Sequence, residues 1–171
     1  MDCKRNLATA AFVSAGICVL SGQEPASIFT ETQAKAGRTA YESTCALCHT
    51  PSLQGRKGEP DEVPALSSLP DNIQNVIKQA GGFVPPLAGP DFLNHWGSRT
   101  AADLVQRINE AVGAFPPKGT NIPVPGHAPD PSDPTAVNLA AYFLQSSGAK
   151  AGTQPLTKTT TVVVNSAIAR R

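Results

Sequence analysis

Two cysteines three positions apart, with a histidine directly behind the second, form the segment Cys45-Ala46-Leu47-Cys48-His49. Thiols at that spacing can add to the two vinyl groups of one haem. The adjacent imidazole then lies beneath the iron and binds it. C-x-x-C-H is the pattern of covalent c-type haem attachment. One haem c, linked through Cys45 and Cys48 and ligated by His49, would bring one-electron redox chemistry to the chain. Two other chemistries use a cysteine pair. A zinc site needs further Cys or His ligands at paired spacing, and the sequence has none. A thioredoxin-like pair wants a βαβ context, which the sequence also lacks.

The other two cysteines, Cys3 and Cys18, fall in residues 1–22, which read as a secretory signal peptide. Lys4 and Arg5 make a basic start, Leu7 to Leu20 is apolar, and Ser21 and Gly22 are small residues suited to cleavage. The apolar stretch is short and wrongly flanked for a membrane span. An uncleaved N-terminal anchor is the competing reading. A lipid anchor at Cys18 is disfavoured because Ile17 stands where a small residue is wanted. Cleavage would leave Cys45 and Cys48 as the only thiols of a chain exported to the periplasm or cell envelope, without stable membrane insertion. Losing Asp2, Lys4 and Arg5 takes the formal charge from +1 to 0. With no charge run, the composition argues against nucleic acid as a partner and against a polybasic membrane patch.

The elements that must position the motif can be read from helix punctuation, and they predict an all-α domain of about four to five helices with long Pro-rich loops. A first helix runs from about Glu31 to Cys45, with Thr30 and Gln33 as a capping box. Gly37 and Tyr41 share one of its faces, and a mid-helix glycine suits a close helix crossing. A second helix spans Asp71 to Ala80. A third starts at the Thr100/Asp103 cap, carries Leu104, Ile108 and Ala111 on one stripe, and ends at Gly113. The last begins near Asp133-Pro134 and carries Val137, Ala140, Ala141 and Leu144. Arg56 to Leu69 reads as a polar surface loop, Phe83 to Asp91 as a stiff apolar one, and Phe115 to Pro131 as a third, rich in proline. Residues 30–148 form the expected domain. Residues 149–171 are a Thr-rich C-terminal tail, for which a lone strand at Thr161-Val162-Val163-Val164, a packed extension and disorder all stay open.

The pattern resembles class I cytochromes c of bacteria over roughly Gln33 to Gln145. The haem motif carries most of the likeness. Gly37 and Tyr41 match the family's first helix, Leu53 and Gly55 the loop after the motif, and Leu139-Ala140-Ala141-Tyr142 the last helix. Val84-Pro85-Pro86-Leu87-Ala88-Gly89-Pro90, Trp96-Gly97, Arg99-Thr100, Ala151-Gly152 and Pro155-Leu156 look like the subgroup found beside or fused to quinoprotein (PQQ) dehydrogenases. The resemblance implies a cytochrome c fold around one covalent haem. On that reading Tyr41, Pro86, Leu87, Trp96, Phe115 and Tyr142 form an apolar frame that controls haem exposure, and Arg99 is either a propionate partner or a plain helix-entry charge.

One departure bears on the iron. Family members usually bind it on the second side through methionine in a Met-Pro-Pro stretch. Here that stretch is Phe115-Pro116-Pro117, and the one methionine of the chain is Met1. Three arrangements stay open: His127 as sixth ligand, Phe115 capping an open iron site, or ligation by His95 or Lys118. Imidazole in place of thioether would lower the reduction potential. The leading expectation is a non-enzymatic electron-transfer protein that passes single electrons between cell-envelope redox partners, such as a PQQ-dependent dehydrogenase and an oxidase. The rival is a haem enzyme or gas-binding protein that uses the open iron position, with His127 as a distal acid–base group.

Overall fold

The computed structural model describes residues 25–58, 64–79, 81–113 and 134–168. Within them the chain forms α1 (Glu31–Ala40), a π-helical turn (Tyr41–Cys45), α2 (Ala46–His49), a 3₁₀ turn (Leu66–Ser68), α3 (Asp71–Gln79), α4 (Gly89–Trp96), α5 (Ala101–Gly113), α6 (Thr135–Ser146) and α7 (Val164–Ala167). Among the described residues the only sheet-type pairings are isolated bridges. The expected signal peptide (residues 1–22), Asp133 and the Phe115–Pro131 loop lie outside the described residues.

The frame is the crossing of α1 with α6, the most extensive helix–helix contact. Gly37 makes it possible: a Cβ there would overlap the Asn138 carbonyl of α6. Ala34, Ala140 and Ala141 are wholly buried at this crossing, because small side chains let two backbones approach. Tyr41, Phe92 and Phe143 fill the space beside it. Phe143 meets Tyr41 and Phe92 edge-on, with ring centroids 5.9 and 6.4 Å apart. Such edge contacts suit the quadrupoles of aromatic rings. A second, smaller apolar cluster joins Leu69, Ile73 and Ile77 to Val84.

Several boundaries differ from the sequence expectation. The first helix is not one uniform rod to Cys45. Its α-helical part stops at Ala40, and the Ala46 N–H reaches back five residues to the Tyr41 carbonyl. The Thr30/Gln33 capping box forms, and Gln33 also bonds both backbone groups of Leu156, at 2.8 and 2.9 Å. The second helix is described over Asp71–Gln79, and its expected end at Ala80 lies outside the described residues; the helix expected near Asp133-Pro134 begins at Thr135 with Pro134 in the cap position. Phe83–Asp91 reads as a stiff apolar loop, but α4 starts inside it, at Gly89-Pro90. Proline in the first turn of a helix lacks only an N–H that has no intrahelical partner anyway, so Pro90 opens this helix rather than barring it. Arg56, expected on a polar surface loop, is 1 % exposed. Its Nη1 donates to the Pro64 carbonyl at 2.8 Å.

The C-terminal segment packs on the core. Leu156, Val164 and Ala167 are buried in the same cluster as α1, α5 and α6. The valine run pairs through a single bridge, Thr100 to Val163, instead of a strand. Carbonyls of the C-terminal segment cap α5: Ala101 N–H donates to Val162 and Ala102 N–H to Thr160, at 2.9 and 2.8 Å. Asp103 N–H is taken by the Thr100 hydroxyl. The first three orphan donors of that helix are thus satisfied.

Candidate haem-attachment site

The cysteine–histidine motif occupies the π turn and the single turn of α2. A helix of one turn does not hold itself, so its neighbours fix it. The loop 53–56 folds against residues 84–87. Arg56 and Val84 exchange two backbone bonds at 2.8 and 2.9 Å, and Leu87 N–H donates to the Leu53 carbonyl at 2.8 Å. Gly55 sits at φ +66, and a Cβ there would overlap the Val84 carbonyl, so only glycine allows this approach.

That clasp delivers Pro85 to His49. Nδ1 of His49 lies 2.9 Å from the Pro85 carbonyl. A carbonyl only accepts, so Nδ1 carries the proton, and Nε2 keeps the lone pair a metal needs. Burial holds the imidazole pKa below its usual value, against the opposing effect of the Pro85 bond. The ring is therefore neutral at pH 7.

Both thiols are free and half-buried. Cys45 packs against the large cluster and Cys48 against the small one, so the motif spans the seam between them. Burial first, and then the neighbouring Cys48, pushes the Cys45 thiol up to about 11. Burial likewise raises Cys48, with the Arg56 guanidinium pulling the other way. The thiols stay protonated at neutral pH, unlike those of low-pKa redox pairs.

Behind His49 the backbone is unusual. Thr50 adopts φ +67, ψ 152 and is 3 % exposed. The following Pro51 accounts for the extended ψ. The positive φ belongs to glycine territory and costs a β-branched residue on the order of 1–3 kcal/mol. Leu53 is also left-handed, at φ +61. The Thr50 carbonyl accepts from the Tyr41 hydroxyl and from Leu53 N–H, and the His49 carbonyl accepts from Gly55 N–H at 3.0 Å.

The other expected site residues are placed as follows. Tyr41 is fully buried, 5.5 Å from Tyr142 between ring centroids, and burial raises its hydroxyl pKa, so it stays a donor. Leu87 and Trp96 pack against the large cluster, and Pro86 is half-buried. Arg99 is exposed, and its guanidinium stands 5.2 Å over the Trp96 ring, a cation–π pair. His95 is exposed and meets Trp96 edge-on, at 5.2 Å between ring centroids. Phe115, Lys118 and His127 lie outside the described residues. Pro85, Thr50 and Arg56 emerge as site residues only from the fold. The nearest sequence signal was the Pro-Pro pair, which marks a stiff segment without saying what its carbonyl faces.

Residues 32–94 match the family described as cytochrome c oxidase, cbb3-type, subunit III. Comparison with curated proteins gave no match, and neither did comparison with solved structures. The matched segment runs from α1 through the attachment motif into α4. Together with the helical architecture it supports a c-type cytochrome with the all-α cytochrome c fold. The donor set fits haem c. Two uncommitted thiols, a neutral imidazole with its Nε2 lone pair free, and apolar clusters on both sides are what covalent attachment, iron ligation and burial of a flat apolar ring require. Among the described residues no helix is long and apolar enough to cross a membrane.

Proposed function

We propose that the protein is an electron carrier with one haem c covalently bound at Cys45 and Cys48 and ligated by His49. The observation that carries this is the orientation of His49, held neutral by burial and tied through Nδ1 to Pro85, beside two free thiols. Haem supplies the one-electron couple. The chain supplies attachment, the oriented ligand and an apolar frame that excludes water. Substrate chemistry then belongs to partners in the cell envelope, for which a PQQ-dependent dehydrogenase as donor and an oxidase as acceptor fit the resemblance. A neutral exported chain suits contacts made through apolar surface more than long-range charge steering. Leu47, inside the motif, and Phe83, two residues before Pro85, are 42 % and 53 % exposed and furnish such surface next to the site.

The test is expression alongside haem-attachment machinery, followed by a pyridine haemochrome assay and reduced-minus-oxidised spectra. One covalent haem per chain that cycles between both states is expected. A colourless product from the same cells would end the proposal.

The confinement of methionine to Met1 favours one second reading, an iron whose far side binds small molecules. Spectra with and without carbon monoxide separate the two: a low-spin spectrum unmoved by carbon monoxide excludes the open site. If that spectrum also survives His127→Ala, His127 is not the sixth ligand.

A further inference from the structure

The Tyr41 side chain is wholly buried, yet its ring contacts with Tyr142 and Phe143 are ones a phenylalanine would make equally well. Its hydroxyl must be desolvated to lie there, so its presence calls for a specific partner. That partner is the carbonyl of Thr50, the residue directly after His49. We propose that Tyr41 is a positioning residue for His49, acting through the Thr50 carbonyl, and that it thereby sets how the imidazole presents to haem iron. This rests on the haem-binding reading above.

The geometry joins three restraints. The imidazole is held at Nδ1 by Pro85. The His49 carbonyl is held by Gly55 N–H. The Thr50 carbonyl is held by Leu53 N–H and the Tyr41 hydroxyl. The first two come from the loop clasp. The Tyr41 hydroxyl adds a hydrogen bond from the aromatic cluster beside the α1–α6 crossing to the peptide that follows His49, whereas the side chains of Cys45 and Leu53 make apolar contacts only. That bond falls at a residue whose positive φ is unfavourable for threonine, so the tether holds a conformation the local sequence does not prefer. Second-sphere bonds of this kind orient a metal-bound histidine and tune its metal. Without the tyrosine bond, the Thr50 carbonyl keeps only the Leu53 N–H of its own loop as a hydrogen-bond partner.

The experiment uses holoprotein. The haemochrome assay on the parent comes first: absence of covalent haem there overturns the haem reading and this inference with it. With haem present, Tyr41→Phe keeps the ring and removes the bond. Expected are unchanged haem content, displaced hyperfine-shifted His49 ring resonances in the ferric NMR spectrum, and a shifted reduction potential. Phe143→Ala serves as the comparison. It disturbs the same aromatic cluster without touching the bond, and should lower the melting temperature while leaving the His49 resonances in place. Unchanged resonances and potential in Tyr41→Phe overturn the inference and leave the haem reading intact. If Tyr41→Phe fails to accumulate, adding Thr50→Gly should restore it, since glycine accepts positive φ without a tether. A double variant that accumulates no better also overturns the proposal.

Discussion

The α1–α6 crossing and the loop clasp behind His49 are built on opposite principles. At the crossing, small residues, ordinary helical backbone and edge-on aromatic rings give dense packing without reference to any ligand. At the clasp, Thr50, Leu53 and Gly55 all take positive φ within six residues, and the thiols beside it are only half-buried. Strain and incomplete burial are tolerated where groups are aimed at something, and the neighbouring crossing supplies the rigidity that keeps them aimed. One region sets whether the chain folds. The other sets what the folded chain can hold.

Substitutions should separate the two. Replacing both Cys45 and Cys48 by alanine should abolish covalent haem in the haemochrome assay. If the crossing is as self-sufficient as its packing implies, far-UV circular dichroism will still show most of the helix. Collapse of the helical signal would mean that the frame depends on the cofactor. Phe143→Ala should do the reverse. Emptying a 2 % exposed aromatic site should lower stability by about 3–5 kcal/mol in urea titration while haem still attaches. Gly37→Ala drives a methyl group into the Asn138 carbonyl and should cost about 1–3 kcal/mol by the same titration. A neutral result there would show that the helices can slide apart without loss.

The smallest effect lies at the start of α5, away from both regions. The Thr100 hydroxyl and N–H donate to the Asp103 carboxylate and hold its pKa below the ordinary 3.8. A carboxylate with a lowered folded pKa stabilises fully above the ordinary value, and that contribution fades as pH falls through the folded one. Thermal melts of Asp103→Asn should therefore lie slightly below those of the parent at neutral pH, with the gap closing as pH drops below 3.8. A gap that persists in acid would assign the cap to geometry rather than charge.

The capping residues, the Gly37 crossing and most of the helical stripes were legible because each depends on near neighbours or on a simple period, whereas Ala111, placed on the same stripe as Leu104 and Ile108, is exposed. Thr30 and Gln33 find each other three residues apart, and Leu104 and Ile108 repeat at helical spacing. The start of α4 was hidden because proline reads both as a breaker and as a first-turn residue, and packing of Phe92 decides between them. The tail was ambiguous for a related reason. Its valines suit a strand, but the unpaired N–H groups at the start of α5 took its carbonyls instead. Burial of Arg56 could not be inferred from a polar run, since its cover comes from Pro64 and the 84–87 segment.

By itself the sequence determined which reactive groups stand together: two thiols and an imidazole at one spacing, with methionine confined to Met1. Covalent order puts those three groups together in any fold. Only the tertiary structure decided how they are presented. The Pro85 carbonyl that selects the His49 tautomer comes from 36 residues away, and the Tyr41 hydroxyl reaches across a helical turn whose hydrogen bonding shifts to a wider register. Such contacts depend on the close approach of backbones that glycine permits at positions 37 and 55, which spacing along the chain does not reveal.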